Sequence, residues 1–518
     1  MIKYKILKVT DRSVTFELLN NNCYFNDEEI TVLINDEVAL KTTKNVNSIY
    51  GLDEDTEYRI KLESSTKNSE EIIFKTKEYK FVLDISEFGA KGNGIEDDTI
   101  YIQTAINVAP KGSLVEINKG KYNITSLFMK SGVDLYIDKD AELISVGNRE
   151  NLPIFPSNIE KNEDRLYLGT WEGITRQCFA GTLNIVESSD VSVFGQGSIN
   201  GMASYENWWK DFETFNIAWR PRLISILNSK NITLMDINVK NSPSWTIHPV
   251  LSKKLEFINL YVENPKDAPN TDGLDPEFCK DVLIKGVHFS VGDDCVALKS
   301  GKFDFAMETK ETTENVLIEN CFMEDGHGAV TMGSEMSGGI KDVTIKNCFF
   351  KGTDRGFRVK TRRGRGIRGV IENIKMKNVI MDDVDTAIAL NSFYFCCDPD
   401  GKSEYVWSKE KLPIDERTPH IKSLYLEDVE CRNLNACSAF IYGLPEKMVE
   451  EISLKNVKFS FREDARPAYP EMLSFQDKVS KRGIMGLNIK KLYLENVVFE
   501  NIEGEHLEIE NVEELIEK

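Results

Sequence analysis

Paired carboxylates interrupt an apolar, strand-like stretch of this sequence, FSVGDDCVALKSG, at Asp293 and Asp294. A third acid, Asp272, lies upstream in NTDGLDP, and an imidazole, His327, follows in DGHGAV. Carboxyl groups gathered on one face raise the pKa of at least one of them, a cost that a purely structural surface avoids. Two carboxyls with separated pKa values can act as general acid and general base, the pair that hydrolysis of a glycosidic bond requires.

A cluster of basic residues follows in GFRVKTRRGRG. Arg358 and Lys360 stand two residues apart, so their side chains would point the same way from a strand. The run continues with Arg362, Arg363 and Arg365. The whole chain has 64 basic and 84 acidic residues and a net charge of -20, so binding an anion needs such a local reversal of sign. Because arginine can hold a carboxylate bidentately, the cluster predicts an acidic ligand.

The elements that must position these residues are repeated strands. The pieces NVLIENCFMED, DVTIKNCFFKG, NIKMKNVIMDD, EISLKNVKFSF and KLYLENVVFEN each alternate apolar residues, reach Asn, and resume an apolar strand. The equivalent position is always Asn, Asp or Gly, residues that tolerate left-handed backbone. It recurs at Asp236, Asn259, Gly286, Asn320, Asn347, Asn378, Asp428, Asn456 and Asn496. Short strands in a repeat of about two dozen residues, with no helices between them, favour an all-β fold, a right-handed parallel β-helix.

In such a solenoid, residues one coil apart in sequence are neighbours in space, since one coil advances about 4.8 Å along the axis. Steps of 21, 33 and 31 residues separate Asp272, Asp293/Asp294, His327 and Arg358, so each motif should lie one coil from the next. Each motif alone is equally well explained as a turn, a loop or a solvated edge. Their joint register favours a functional column on one face.

Two domains are predicted. Residues 1–78 show short alternating segments separated by polar turns, typical of a small antiparallel β-sandwich, and residues 79–518 carry the repeats. Apolar residues at helical spacing predict one helix at roughly 97–109. The pieces GLDEDTEYRIKLES and FKTKE resemble the last strands of a fibronectin type III domain, although the usual tryptophan and prolines are missing.

Composition limits the partners. The acidic balance argues against nucleic acid and against an anionic membrane surface. No segment approaches a membrane-spanning run or a signal-peptide core, which predicts a cytoplasmic protein; a chain that had lost its signal peptide would look the same, so secretion stays open. Ten cysteines, including the adjacent pair Cys396–Cys397 but no C-x-x-C, indicate buried thiols rather than a zinc site or disulfide framework. The sequence leaves the oligomeric state open.

The four motifs together resemble the polygalacturonase family of glycoside hydrolases, family 28. The family's N-T-D matches residues 270–272, its D-D residues 293–294, its G-H-G residues 326–328 and its R-x-K residues 358–360, and NSPSWTIHP at 241–249 is similar to the family's run ahead of the active site. The resemblance covers about residues 80–518. It implies a parallel β-helix and inverting hydrolysis of galacturonate-containing pectin chains, with no cofactor.

The resemblance also implies roles for individual residues. Asp293 resembles the general acid, and Asp272 and Asp294 resemble the pair that activates water. His327 would tune the acid, and the substrate-binding set would comprise Asn270, Arg358, Lys360, Arg363 and Arg365. Inversion requires carboxyls roughly 6.5–9.5 Å apart, which neighbouring coils can supply. Adjacent residues of a regular strand face opposite sides, so both aspartates reach one cleft only if the strand is interrupted there.

The longest interval between repeats holds an aromatic-rich insert, NSFYFCCDPDGKSEYVWSKEKLP, at 391–413. A rim loop of this size could close one end of the cleft and admit only chain ends. The insert, GSEMSGG, TRRGRG and the N-terminal module are also similar to bacterial exo-acting polygalacturonases, which favours an exo-hydrolase releasing galacturonic acid from oligo- or polygalacturonate.

Four alternatives stay open. An endo-polygalacturonase would not need a loop that closes one end of the cleft. A rhamnogalacturonan or xylogalacturonan hydrolase would keep the chemistry and change the sugar. A calcium-dependent pectate lyase would share the fold, since acidic clusters can bind calcium. A non-catalytic carbohydrate-binding β-helix would not need three carboxylates in register.

Overall fold

The computed structural model of the chain describes residues 1–146, 149–161, 164–395 and 402–518. Most of this chain winds into a parallel β-helix, in which strands pair with equivalent strands one coil earlier and one coil later. Across the described ranges, no helix has the length and apolar character needed to cross a membrane. The parallel β-helix predicted from the repeats is confirmed. The pair Cys396–Cys397 lies outside the described residues.

The N-terminal strands form two antiparallel sheets instead of coils. They are β1 (Tyr4–Val9), β2 (Ser13–Leu18), β3 (Phe25–Ile34), β4 (Glu37–Lys44), β5 (Val46–Tyr50), β6 (Glu57–Glu63) and β7 (Ile72–Lys75). One sheet has the order β1-β2-β5 and the other β4-β3-β6-β7. Phe16, Val32 and Ile60 are fully buried in a core of their own. A fibronectin type III identity and the division at residue 78 remain proposals.

Parallel pairing begins at Phe81. The first coils contain β8 (Phe81–Asp84), β9 (Asn93–Asp97), α1 (Thr99–Val108), β10 (Ser113–Ile117), β11 (Gly120–Ile124), β12 (Leu127–Phe128), β13 (Val133–Ile137) and β14 (Ala141–Ser145), with 3-10 turns at Ile85–Phe88 and Arg149–Asn151. Helix α1 buries Ile102, Ala105 and Ile106 against the apolar interior of these coils. This confirms the helix predicted at roughly 97–109.

Antiparallel pairs project between the early coils and the later ones. These are β15 (Ile154–Phe155), β16 (Asn158–Lys161), β17 (Asp164–Tyr167), β18 (Thr170–Trp171), β19 (Ile174–Thr175) and β20 (Cys178–Phe179). Strand β15 pairs with β20, β16 with β17, and β18 with β19. The hairpin β18–β19 matters below because it approaches the candidate site.

The remaining coils carry the site. Their strands are β21 (Leu183–Val186), β22 (Ser189–Gly195), β23 (Ser198–Asn200), β24 (Ile224–Leu227), β25 (Lys230–Met235), β26 (Asn238–Lys240), β27 (Ile247–Val250), β28 (Lys253–Ile258), β29 (Tyr261–Glu263), β30 (Lys280–Lys285), β31 (His288–Val291), β32 (Val296–Leu298), β33 (Thr313–Glu319), β34 (Phe322–Asp325), β35 (Val330–Gly333), β36 (Ile340–Lys351), β37 (Arg355–Lys360), β38 (Val370–Asp382), β39 (Thr386–Asn391), β40 (His420–Ile421), β41 (Ser423–Leu434), β42 (Cys437–Tyr442), β43 (Val449–Phe461), β44 (Arg482–Glu500) and β45 (Leu507–Glu517). Their inward residues, mostly Val, Ile, Leu and Phe, form one continuous buried column, as the alternating pattern predicts.

The repeated Asn, Asp or Gly position stacks at one bend of the coils, as predicted. All nine of these residues have left-handed backbone, with φ between 51° and 69°. Successive side chains also bond along the axis: the Asn378 amide donates to Asn347 over 2.9 Å and the Asn496 amide to Asn456 over 3.0 Å. The bend therefore fixes both the turn and the axial register. Gly286 has no side chain to continue this row of axial bonds. A Cβ atom at this position would come within 2.6 Å of Val46.

Two short helices lie in insertions between coils, α2 (Phe303–Thr309) and α3 (Glu404–Trp407). The prediction of no helices between the repeats is wrong at these places. Only one residue of α3, Val406, and two of α2, Phe305 and Ala306, are buried, so neither segment carries enough apolar periodicity to stand out in the sequence.

The N-terminal sheets dock on the bend of the β-helix through buried charge. Lys285 lies 2.7 Å from both carboxylate oxygens of Glu17 and 2.5 Å from Glu319. The side chains of Lys285 and Glu17 are only 3% and 2% exposed. Above them, Ser48 and Tyr50 donate to the buried carboxylate of Asp236, over 2.6 and 2.7 Å respectively. The docking therefore depends on polar pairs that water does not reach.

We expect Lys285→Met to lower the melting temperature markedly, because Glu17 and Glu319 then keep only the more exposed cations Lys5 and Lys346, each at 3.0 Å. Breaking a buried pair costs up to roughly 3–5 kcal/mol. Thermal unfolding followed by circular dichroism measures it. Lys377→Met is the matched control: its exposed pair with Glu427 should leave the melting temperature unchanged. Equal effects of the two substitutions would contradict the buried-pair interpretation.

Candidate active site

Backbone hydrogen bonds place the four motifs on successive coils. The N–H of Gly273 donates to the carbonyl of Asp294 over 2.9 Å, and that of Cys295 to the carbonyl of Gly328 over 2.8 Å. One coil later, β35 pairs with β37 so that Thr331 lies opposite Arg358. The predicted register of the motifs is therefore confirmed.

The strand is interrupted at the paired aspartates, as predicted. Strand β31 ends at Val291 and β32 begins at Val296, with bends between them. One carboxylate oxygen from each of Asp272, Asp293 and Asp294 lies within 4.8 Å of the others. The 4.8 Å refers to the nearest oxygens, so the separation of roughly 6.5–9.5 Å expected between the carboxyl groups of an inverting enzyme stays a prediction.

Asp294 is the carboxylate most completely neutralised by the protein. Its side chain is wholly buried, and it lies 2.6 Å from Lys360 and 3.3 Å from Arg358. Burial alone would raise the pKa of Asp294, but the two cations outweigh it and hold the pKa well below its usual range. Gly328 makes room for this group, since a Cβ atom there would meet an Asp294 oxygen at 2.6 Å.

Asp272 has the opposite electrostatic environment. It is 2% exposed, and one of its oxygens has no hydrogen-bond partner among the described residues. Burial, together with the negative charges of Asp275 and Asp293, raises its pKa well above the usual range. The ammonium group of Lys299 opposes this from 3.7 Å.

Asp293 is the only member of the trio with a partly exposed side chain. Its backbone carbonyl accepts the N–H of His327 over 3.1 Å. The His327 ring is 55% exposed, and its Nδ1 lies 2.7 Å from a carboxylate oxygen of Asp354. The hydrogen bond to Asp354 raises the pKa of His327, with a smaller contribution from the charge of Asp293. An imidazole with increased affinity for a proton is thus held on the coil next to Asp293.

Arg358 and Lys360 lie beside the acids, as predicted, but both are already engaged. The Arg358 guanidinium binds Glu471 bidentately, over 2.8 and 2.7 Å. The aromatic ring of Tyr394 lies 5.8 Å from the Arg358 guanidinium and 5.6 Å from the Lys360 ammonium group. The two cations are therefore held rigidly next to the carboxylates.

The other predicted substrate-binding residues do not join this group. All five N–H donors of Arg363 are used, by Glu446 and by the carbonyls of residues 405, 408 and 410, so we no longer propose it as a substrate contact; it anchors the insert. Arg365 is buried and donates to the hydroxyl of Ser334 over 3.1 Å. Asn270 accepts from Arg220 over 2.6 Å and so shapes the loop before Asp272.

Several residues at the site were missed by the sequence interpretation. They are Lys299, Glu335, Asp354, Glu471, Tyr394 and the fully buried Asp275. Lys299 had a visible signal, a cation within the apolar run VALKSG, and Asp275, Glu335 and Tyr394 lie in segments already noted without being singled out. Asp354 and Glu471 bind partners from distant segments.

Three converging carboxylates could also attract a divalent cation. Here Lys360, Arg358 and Lys299 already provide the positive charge, at 2.6, 3.3 and 3.7 Å. The donor set therefore fits protein cations better than a metal ion.

We expect Asp354→Asn to lower the pKa of His327, because it removes the negative partner of the ring. Nuclear magnetic resonance titration of labelled histidine measures it, and with five histidines in the chain His327→Gln can assign the signal. The more distant Asp342→Asn should leave the titration unchanged. An unaltered pKa in Asp354→Asn would contradict the assigned pair.

Comparisons with known proteins identify relatives of the chain. The model of Glycosyl hydrolases family 28 matches residues 170–438. A probable polygalacturonase of Vitis vinifera is 26% identical over 72% of each chain, and an endo-polygalacturonase of Pectobacterium carotovorum is 29% identical over 57% of this chain and 72% of its own. An exo-poly-alpha-D-galacturonosidase of Dickeya chrysanthemi is 25% identical over 58% of this chain and 55% of its own.

Solved structures show the same fold. The family 28 exopolygalacturonase of Yersinia enterocolitica superposes with a TM-score of 0.71 at 17% identity, covering 100% of this chain and 98% of its own. The exopolygalacturonase of Thermotoga maritima gives 0.67 at 22% identity, covering 83% of this chain and 93% of its own. The matched family model spans half of the chain and includes every motif of the site, and the protein therefore belongs to glycosyl hydrolases family 28.

Proposed function

We propose that this glycoside hydrolase cleaves α-1,4-linked galacturonate chains from one end, with inversion, and releases galacturonic acid. One observation carries the proposal: Asp272, Asp293 and Asp294 converge within 4.8 Å beside Arg358 and Lys360. The carboxylates supply acid–base chemistry, and the cations suit a substrate that carries a carboxylate on each sugar.

The exposures of the carboxyls suggest their roles. Asp293 is the one that a leaving oxygen can reach, so it is the proposed general acid. Asp272 and Asp294 lie deeper and would hold the water. Because their nearest oxygens are at most 4.8 Å apart, one water can donate to both at ordinary hydrogen-bond lengths. Arg358 and Lys360 would then face the sugar carboxylate next to the bond that breaks.

The geometry of the inserts supports the exo mode. A cavity of about 690 Å³ is lined by residues 173–176, from the hairpin β18–β19, by Ser403, Tyr405 and Val406 of the insert, and by Asp415 and Arg417 just after it. Arg365 also lines it and connects it to the site through Ser334. Two segments distant in sequence thus enclose a space whose wall is linked, through Arg365 and Ser334, to Glu335. The relatives carry both endo and exo names, so they do not choose between the modes.

Products from polygalacturonate and short oligogalacturonides test the proposal. We expect galacturonic acid as the only early product, and Asp293→Asn should reduce the rate by about 10²–10⁴-fold because the leaving group loses its proton donor. Asp140→Asn, an exposed acid on a distant coil, is the matched control and should retain full activity.

Other products would change the conclusion. Mixed oligomers would indicate an endo-enzyme, and unsaturated products absorbing in the ultraviolet would indicate a lyase. Activity confined to rhamnogalacturonan or xylogalacturonan would change the assigned substrate and leave the hydrolytic mechanism unchanged. Full activity of Asp293→Asn would contradict its role as acid.

A further inference from the structure

Lys299 occupies a position that the proposed acid–base roles do not yet explain. Its side chain is only 4% exposed, and its ammonium group lies 3.7 Å from Asp272 and 3.2 Å from Glu335. The same ammonium group lies 4.0 Å from the centre of the Trp245 ring, which also carries the Arg222 guanidinium at 4.4 Å. Lys299 is thus shared between two acids and held by an indole.

The three carboxylates differ sharply in their contact with cations. Asp294 has two cations within 3.3 Å, whereas Asp272 has Lys299 at 3.7 Å, beyond hydrogen-bond length and divided with Glu335. A carboxyl as crowded as Asp272 favours the protonated form. The proton needed for catalysis could therefore reside on Asp272 instead of Asp293, which would exchange acid and base.

We propose that Lys299 is a positioning residue for the acid–base chemistry: its ammonium group, 3.7 Å from Asp272, weakens the hold of that carboxyl on a proton and so favours placing the catalytic proton on Asp293. This inference rests on the proposed function. Lys299 acts through Asp272, and Glu335 limits its effect by competing for the same charge. The hydroxyl of Ser334 donates to the Glu335 carboxylate over 2.9 Å and holds it in place.

Other charged groups face this pair from every neighbouring coil. Around Asp272 they are Asp275, Asp293, Asp294, Cys295, Arg220 and Arg222; around Lys299 they are Glu335, Asp272, Asp275, Asp294, Lys360, His248 and Glu172. Burial lowers the pKa of His248 to about 4, so its ring is neutral and adds no charge above that pH. Lys299 is the cation that comes within 4 Å of Asp272 among the ion pairs of the described chain.

Two substitutions should shift the pH profile in opposite directions. Removing the cation in Lys299→Met should raise the pKa of Asp272, so the rising limb of kcat moves to higher pH by roughly 1–3 units. Removing the competitor in Glu335→Gln should lower that pKa and move the same limb to lower pH. The KM should stay within about twofold in both, since neither side chain is exposed to the cleft.

The pH dependence of kcat and KM on short oligogalacturonides is the measurement. Lys299→Arg retains the charge and should keep the wild-type limb. A loss of kcat that is equal at every pH, or a rise in KM of about tenfold, would overturn the inference and make Lys299 structural or substrate-binding. If Lys299→Met does not fold, Glu335→Gln decides alone: a limb that stays in place overturns the inference.

A second measurement separates this inference from the proposed function. The infrared band of protonated carboxyl groups can be titrated without substrate, and Asp272→Asn assigns its share. Lys299→Met should retain the Asp272 contribution to higher pH than the wild type does. An enzyme inactive on oligogalacturonides that still shows this shift would disprove the proposed function and support only the effect of Lys299 on Asp272. An unshifted band would overturn the inference.

Discussion

The site depends on compensating three carboxylates that lie within 4.8 Å of one another. Without nearby cations, these carboxylates would take up protons or repel one another, and neither outcome supports general acid–base catalysis. The protein places its cations unevenly, with Arg358 and Lys360 on Asp294 and a shared Lys299 on Asp272. This asymmetry gives chemically identical side chains opposite pKa shifts, downward for Asp294 and upward for Asp272. Burial strengthens it, because water does not screen the interactions.

The β-helix provides the distances on which this compensation depends. Each coil contributes one group, and axial backbone bonds hold the coils in register. The row of Asn and Asp residues at the bend, from Asp236 to Asn496, opposes slippage between coils, since its side chains form hydrogen bonds along the axis. The interruption between Val291 and Val296 then turns two adjacent aspartates to one side. A regular strand would have separated them across the sheet.

Much of this could be predicted from the sequence because it follows from periodicity. The repeated Asn position predicted the solenoid. Intervals close to the length of one coil predicted that Asp272, Asp293 and His327 lie on successive coils. The irregular strand followed from the requirement that both aspartates reach one cleft. Helix α1 was visible because its apolar spacing is regular.

The remainder depended on contacts that no local pattern encodes. Glu471 reaches Arg358 from 113 residues away in the chain. In TRRGRG the turn after Lys360 breaks strand alternation, so the sequence could not show that the donors of Arg363 are taken up by Glu446 and nearby carbonyls.

The anomeric form of the first product tests the central claim most directly. If Asp293 donates the proton while Asp272 and Asp294 direct water, cleavage is a single displacement and an α-linked substrate yields the β-anomer first. Proton magnetic resonance of early hydrolysis, before mutarotation, distinguishes the anomers. Initial β-galacturonic acid is the predicted result. Initial α-anomer would indicate a covalent intermediate and would contradict the assigned roles.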